Sequence, residues 1–379
     1  MKRPQESRRR VLLMGLHFAE YSSLLAQALV QRCDVLLIAY QENAVDEIGD
    51  DWKAPLQSKG VEVLALDKPS SLSGVFANAR AIIRAARRFA PDLIHCQESI
   101  RYDMALSLPW LLRIPRLLTV HDPKPHSGVD ARWDRFSHDR LYRAVIRRAM
   151  NMVIVHGEVL RTELHEVCPW LIGKVRVTPH GPLGRGIASE PKVPTGRRVL
   201  LFGRINEYKG LQYFVEAVAR LNKRGVSVTG VVAGRGPDLQ RHRKEMATAG
   251  CFEIDDRYIP VEQVDRLFLE ARAVVLPYTD GTQSGVAAMA LGYCRPVIAT
   301  TVGSIPELVI HGRNGLLTAP RDAQSLASAI EAVIGSAELT AKLVAGARDL
   351  RDGDLSWRAI AARTVDIYEE LLLSTRTGS

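Results

Sequence analysis

Arg204 and Lys209 stand in "LLFGRINEYKG", residues 200–210, where a leucine-rich run ends on Gly203 and a helix-like segment opens after Gly210. Two cations beside the open N–H groups of a helix start make a clamp for a diphosphate, whose negative charge grows as it leaves. A pair of solvated side chains on a loop is the plainer reading of the same residues. A second segment, "DGTQSGVAAMALGYCRPVIATT" (280–301), sets small and polar residues ahead of an alanine-rich stretch and a β-branched run. Thr282 or Ser284 suits a helix N-cap and such a start attracts anions, whereas the small residues alone also fit a helix packed closely on a sheet. In "LLTVHDPKPHSG" (117–128) a strand-like run ends on His121-Asp122. A histidine there binds substrate, moves a proton or is structural.

Other candidate motifs fall away. "VVAGRGPDLQ" (231–240) carries Gly234-Arg235-Gly236-Pro237, which departs from Gly-x-Gly-x-x-Gly, so a nicotinamide site is not expected, and no P-loop motif occurs. His126, His138, His156, His165 and His180 are not at metal-ligand spacing, and Asp352-Gly353-Asp354 reads as a capping loop before the last helix. No metal and no cofactor is expected.

The elements that must position these residues alternate along the whole chain. "RVLLMGL", "CDVLLIAY", "VEVLAL", "DLIHCQ", "RLLTVHD", "MVIVHG" and "KVRVTPH" are separated by amphipathic stretches such as "GVFANARAIIRAARRFAP". That alternation predicts an α/β fold of βαβ units around a parallel sheet. It pauses at residues 177–198, where four prolines and four glycines mark a linker. A second series follows: "RVLLFGR", "VSVTGVVAGRG", "CFEIDDRYI", "AVVLPY", "PVIATT" and "GLLTA". Between them "GLQYFVEAVARLNKRG" places Leu211, Phe214, Val215, Val218 and Leu221 at helical spacing. Two domains of similar size are expected, with ligands at the carboxyl ends of the strands and in the cleft between domains.

Bulk composition narrows the class. With 379 residues, 46% hydrophobic and 25% charged, the chain is expected to be a soluble protein of two domains. Its five cysteines are scattered without a Cys-x-x-Cys pair, which indicates neither a disulfide framework nor a zinc site and fits a cytoplasmic location. The basic opening imitates a signal peptide, but His17 and Glu20 interrupt its apolar core, and no run of 18 apolar residues occurs. Residues 1–185 hold 27 Lys and Arg against 20 Asp and Glu, and residues 186–379 hold 24 against 22. The basic surplus in the first half suits acidic phospholipid, a phosphorylated substrate or nucleic acid. Nucleic acid is not expected, because the arginines lack interleaved stacking aromatics and any reading module.

"GRINEYKG", "AGRGP", "AVVLPY", "RPVIATTVGSIPELVIHGRNGLLT" and "LSWRAIAARTVDIYEELL" resemble the retaining glycosyltransferases of family 4, which adopt the two-Rossmann-domain GT-B fold. The resemblance spans nearly all of residues 190–375; in the first half it rests on the Gly15 loop and "TVHD". It implies an acceptor-side domain over 1–182, a nucleotide-sugar donor domain over 183–355, and a C-terminal helix, 356–379, crossing back to the first. It implies that Arg204 and Lys209, beside Gly203, bind the donor diphosphate, that His121 lies near the transferred sugar, and that the loop at Gly15 closes near donor and acceptor. The nucleotide base is implied to sit against Arg257, Tyr258 and Ile259, with Gly234 lining the donor site.

One departure from the family is plain. Most members carry two glutamates separated by seven residues, and here their places fall on Gly281 and Met289, whose side chains accept no hydrogen bond. The sequence resembles a branch in which a "TQSGV" turn replaces the first glutamate. Sugar contacts are then expected from Asp280, Gln283 and the backbone of Ser284, Gly285 and Val286. The departure leaves three functions open: a retaining hexosyltransferase of bacterial polysaccharide or exopolysaccharide assembly, a GT-B nucleotide-sugar epimerase, and a non-catalytic partner of a membrane polysaccharide complex. The partners of the first are a nucleotide-sugar donor and a lipid-linked or saccharide acceptor. "ARAIIRAARRFAP" and "RWDRFSHDRLYRAVIRRAM" mix arginines with Ile82, Ile83, Phe89, Trp133, Phe136, Tyr142 and Ile146. They fit equally an anionic inner-membrane surface that makes the enzyme peripheral and a pair of Rossmann helices with arginine-coated outer faces.

Overall fold

The computed structural model describes residues 8–98, 101–124, 139–188 and 190–377. The chain divides into two units, with junctions at 178/179 and again at 356/357. In the first unit β1 (Arg9–Met14), β2 (Cys33–Tyr40), β3 (Glu62–Leu66), β4 (Leu93–Gln97), β5 (Arg116–Thr119), β6 (Met152–Val155) and β7 (Val175–Val177) form one parallel sheet. Its order is β3-β2-β1-β4-β5-β6-β7, so the direction in which successive strands are added reverses between β1 and β4. Val11 through Met14 are fully buried, as continuous apolar runs require when helices cover both faces.

The helix Leu72–Phe89 carries the chain from β3 back to β4; Ser71 caps it by accepting from Gly74 N at 3.2 Å. Ile82 and Phe89 from this helix and Ile146 from the helix Asp139–Arg148 belong to the core, because their helical spacing turns them onto the sheet. These three side chains therefore face the core, whereas Trp133 and Phe136 lie outside the described residues. The last helix, Trp357–Thr377, belongs to the first unit although the chain reaches it after the second. Tyr368 is fully buried with its hydroxyl 2.7 Å from His95 Nδ1, and Arg9 pairs with Glu369 at 2.8 Å.

The second unit contains β8 (Arg198–Phe202), β9 (Thr229–Ala233), β10 (Phe252–Asp255), β11 (Ala273–Leu276), β12 (Val297–Thr300) and β13 (Gly315–Thr318). They are parallel in the order β10-β9-β8-β11-β12-β13, reversing between β8 and β11. The helix Leu211–Lys223 buries Leu211, Phe214, Val215, Val218 and Leu221. The strand expected in "CFEIDDRYI" stops at Asp255. Part of the expected linker is not free chain: Leu183 N donates to Ala288 O at 3.0 Å, and Arg351 Nη1 donates to Gly186 O at 3.2 Å. Gly184 and Gly186 permit this docking, since a Cβ on either would come within 2.6 and 2.3 Å of the Tyr293 ring.

Candidate functional site

In the second unit the strand-end loops after β8 and β9 are stacked backbone on backbone. Gly203 N donates to Ala233 O at 2.9 Å, and Ile205 N donates to Arg235 O at 3.0 Å. Gly234 has φ of 132°, and a Cβ there would lie 2.0 Å from Gly203 O. Gly234→Ala is expected to destabilise the protein by on the order of 3 kcal/mol, because both the dihedral and the carbonyl oppose it. Urea denaturation checks this; an unchanged midpoint would show that the two loops are not held in contact.

Lys209 lies in this stack. Its Nζ donates to Phe202 O at 3.0 Å, sits 5.3 Å from the centre of the Tyr278 ring, and would be 3.1 Å from a Cβ at position 203. The side chain is buried, and that burial lowers its pKa. The turn is tied to the end of β11: Thr279 N donates to Tyr208 O at 2.7 Å, and a Cβ on Gly210, where φ is 69°, would meet Pro277 O at 2.0 Å. Arg204 is exposed, with no carboxylate partner among the described residues.

Tyr278 joins this lysine to the small-residue turn. It is buried, and its hydroxyl lies 3.2 Å from Ser284 Oγ. Ser284 is the N-cap of the helix Gly285–Gly292, accepting from Ala287 N at 3.2 Å. Val286 Cγ2 would be 3.7 Å from a Cβ at 203, so the helix start borders Gly203 and Lys209. The turn itself is braced by β12's end: Thr282 O accepts from Ser304 N and Oγ, both at 2.8 Å. Asp280 is exposed and accepts from Gly281 N at 2.8 Å; Gln283 is half-buried and Gly285 exposed. Cation, capped helix start and glycine-lined turn thus share one edge of the sheet, and such an edge can hold a phosphoryl group.

The residues expected at the nucleotide base are placed less uniformly. Ile259 belongs to the same apolar cluster as Tyr278, whereas Tyr258 is exposed and Arg257 is paired with Asp255 at 2.7 Å. The sequence singled out neither Tyr278 nor its role. Its signal was the tyrosine closing the expected strand "AVVLPY", which stands two residues beyond the end of β11 at Leu276.

In the first unit Gly15 ends β1 at the switch point; its N–H donates to Ile38 O at 2.9 Å, and a Cβ would strike Ser22 Oγ at 2.1 Å. Ser22 Oγ holds the following turn by donating to Phe18 O at 2.6 Å. His121 is 1% exposed, against Phe18 with ring centres 3.9 Å apart and 4.8 Å from the ring of His156. Spacing along the chain gave no hint of that pairing. His121 Nε2 is 3.0 Å from Gln97 Oε1, and Gln97 Nε2 is 3.3 Å from His95 Nε2, which Thr119 Oγ1 approaches at 2.7 Å. Below them Glu98 and Arg147, both buried, pair through two contacts of 2.9 Å. Burial alone would lower the pKa of Arg147, but Glu98 more than reverses this. The guanidinium also donates to Pro123 O at 3.3 Å and Asp122 O at 3.4 Å, fixing the segment that follows His121.

Burial lowers the His95 pKa to about 3, so the folded state holds this ring neutral. Between pH 3 and 6.5 the unfolded chain binds a proton that the folded chain does not. The stabilisation is therefore complete above pH 6.5 and is lost on acidification, by about 1.4 kcal/mol per pH unit. Denaturation midpoints measured at pH 7 and 5 should show that slope, and His95→Gln should flatten it; an unchanged slope in the variant would contradict the assignment.

Comparison with known proteins follows the same division. Residues 18–181 match the family model "Glycosyl transferase 4-like domain" and residues 196–336 match "Glycosyl transferases group 1". Glycogen synthase of Mycobacterium tuberculosis is 25% identical over 320 residues, covering 78% of this chain and 75% of that enzyme. D-inositol 3-phosphate glycosyltransferase of Arthrobacter sp. is 31% identical over 186 residues, 46% of this chain and 43% of that one. Two solved structures share the fold. Anabaena HepE with UDP and glucose has a TM-score of 0.68 at 18% identity, covering 96% of this chain and 100% of that one. Sucrose-phosphate synthase of Thermosynechococcus elongatus has 0.68 at 20%, covering 97% and 100%.

Proposed function

Because this chain belongs to the GT4-type glycosyltransferases with the GT-B fold, we propose that it moves a hexosyl group from a nucleotide-sugar donor to a lipid-linked or saccharide acceptor, with retention of anomeric configuration. The observation that carries this reading is Lys209, a buried cation fixed between Gly203, the Tyr278 ring and the helix start at Gly285. The crystallised HepE complexes with UDP and with UDP-glucose support a nucleotide-sugar as donor. Substitution proceeds on the front face of the sugar through an oxocarbenium-like state. Lys209, Arg204 and the N–H groups of 285–286 stabilise the departing diphosphate, whose oxygen takes the acceptor's proton. His121 is held within the first unit by Gln97. No metal is needed for this charge balance. A panel of nucleotide sugars tests the donor: the right one, at about 100 times its Kd, adds roughly 2.7 kcal/mol of stability. Interconversion of free nucleotide sugars without acceptor would favour an epimerase instead.

A non-catalytic partner subunit is the second reading, favoured by Gly281 and Met289 at the places of the family's glutamates. It is distinguished by nucleotide binding without donor turnover.

We place the protein in the cytoplasm, peripheral on the inner membrane, in polysaccharide assembly. No helix of the described residues is long and apolar enough to cross a membrane. Support for surface contact comes from Leu72 and Phe76, 79% and 56% exposed, followed at helical spacing by exposed Arg80, Arg84, Arg87 and Arg88. The protein is expected to sediment with phosphatidylglycerol vesicles and not with phosphatidylcholine vesicles. Phe76→Ser should weaken that sedimentation, and equal recovery with both lipids would remove the proposal.

A further inference from the structure

Arg235 has no part in the reading above, and its surroundings give it one. It lies between Gly234 and Gly236 just past the carboxyl end of β9, next to β8, whose end at Phe202 leads into Arg204. The strands are in register with Phe202 opposite Ala233, so Arg204 and Arg235 occupy matching positions two residues further on. The bond from Ile205 N to Arg235 O, 3.0 Å, keeps the two loops together there. The glycines on either side leave no freedom to separate, since a Cβ at 234 or 236 would strike Gly203 O or Ile205 O at 2.0 and 2.1 Å.

Both guanidiniums are exposed, and neither has a carboxylate partner among the described residues. Other exposed arginines of this unit are paired, Arg220 with Glu216, Arg224 with Glu331, Arg241 with Glu207, Arg243 with Asp256 and Arg257 with Asp255, and those without a carboxylate among the described residues, Arg197, Arg313 and Arg321, do not follow β8 or β9. With the backbones of Arg204 and Arg235 on adjoining loops and Lys209 buried in the same stack, the two guanidiniums leave a positive surplus at the strand edge that an anion would relieve.

We propose that Arg235 is a third anion-binding residue of the donor site, matched to the charge that the nucleoside diphosphate acquires as it leaves. This rests on the transferase reading. In the intact donor each phosphate is a singly charged diester, which Arg204 and Lys209 suffice to balance. When the bond from the anomeric carbon to the phosphate oxygen breaks, its electron pair stays on that oxygen and the phosphate becomes terminal, with nearly a second charge. The acceptor oxygen bonds to the same carbon, and its proton passes to the departing oxygen and from there to water, because the second ionisation of a terminal phosphate lies at about pH 6, which leaves the separated diphosphate with the added charge. Arg235 therefore acts more on the separated diphosphate than on the donor.

Calorimetric titration of the full chain with inorganic pyrophosphate, UDP and UDP-glucose tests this in the wild type, Arg235→Ala, Arg235→Lys and Lys209→Met. Arg235→Ala is expected to weaken pyrophosphate and UDP about tenfold or more, and UDP-glucose less than threefold. Arg235→Lys should recover part of the loss, and in turnover kcat should fall with donor KM nearly constant. Unchanged pyrophosphate and UDP binding in Arg235→Ala, beside a clear loss in Lys209→Met, would overturn the role of Arg235 alone. A raised KM for the acceptor with UDP binding intact would also overturn it, assigning the guanidinium to an anionic acceptor. If Lys209→Met too bound pyrophosphate like the wild type, the donor site itself would be wrong.

Discussion

Lys209→Met is expected to lower kcat for sugar transfer or donor hydrolysis by roughly 10²–10³, about 2.7–4 kcal/mol of barrier, in a chain that remains folded. The ammonium is buried against a carbonyl and an aromatic face, and burial without a carboxylate lowers its pKa. Methionine has similar length and no charge to desolvate, so the melting temperature should equal or exceed that of the wild type. Arginine is not a neutral exchange here, because its planar fork needs more room than the 3.1 Å between the amine and the empty Cβ position of Gly203 allows. Steady-state kinetics with differential scanning calorimetry separates the two effects. Activity within threefold of the wild type would remove the diphosphate clamp on which the proposed chemistry depends.

Glu98→Ala is expected to cost about 3–5 kcal/mol of stability, since it leaves the Arg147 guanidinium buried without its counter-charge. The pair joins the end of β4 to the helix Asp139–Arg148, and the same guanidinium holds the carbonyls of Asp122 and Pro123. Replacing both partners, Glu98→Leu with Arg147→Met, should lose less than Glu98→Ala alone, because no orphan charge remains. Urea denaturation of the single and double variants measures this difference. Equal losses in the two would mean that the pair's charge does not matter to the fold.

Local chemistry determined much of this protein without tertiary information. Continuous apolar runs such as "CDVLLIAY", alternating with helical spacing, required parallel sheets covered on both faces, and β2 spans those eight residues. Gly203, Lys209 and Ser284 were legible because strand ends, glycines and helix caps carry short-range signals. Tertiary structure alone decided which of them meet. Tyr278 connects Lys209 to Ser284 across separate loops, and Arg235 comes beside Arg204 because β9 pairs with β8 in one register out of many. Glu98 and Arg147 find each other over 49 residues, and Tyr368 reaches His95 over 273. No periodicity encodes such pairings. They follow from strand order and helix crossing, where burying apolar faces fixes the backbone first and the polar partners must then satisfy one another where they fall.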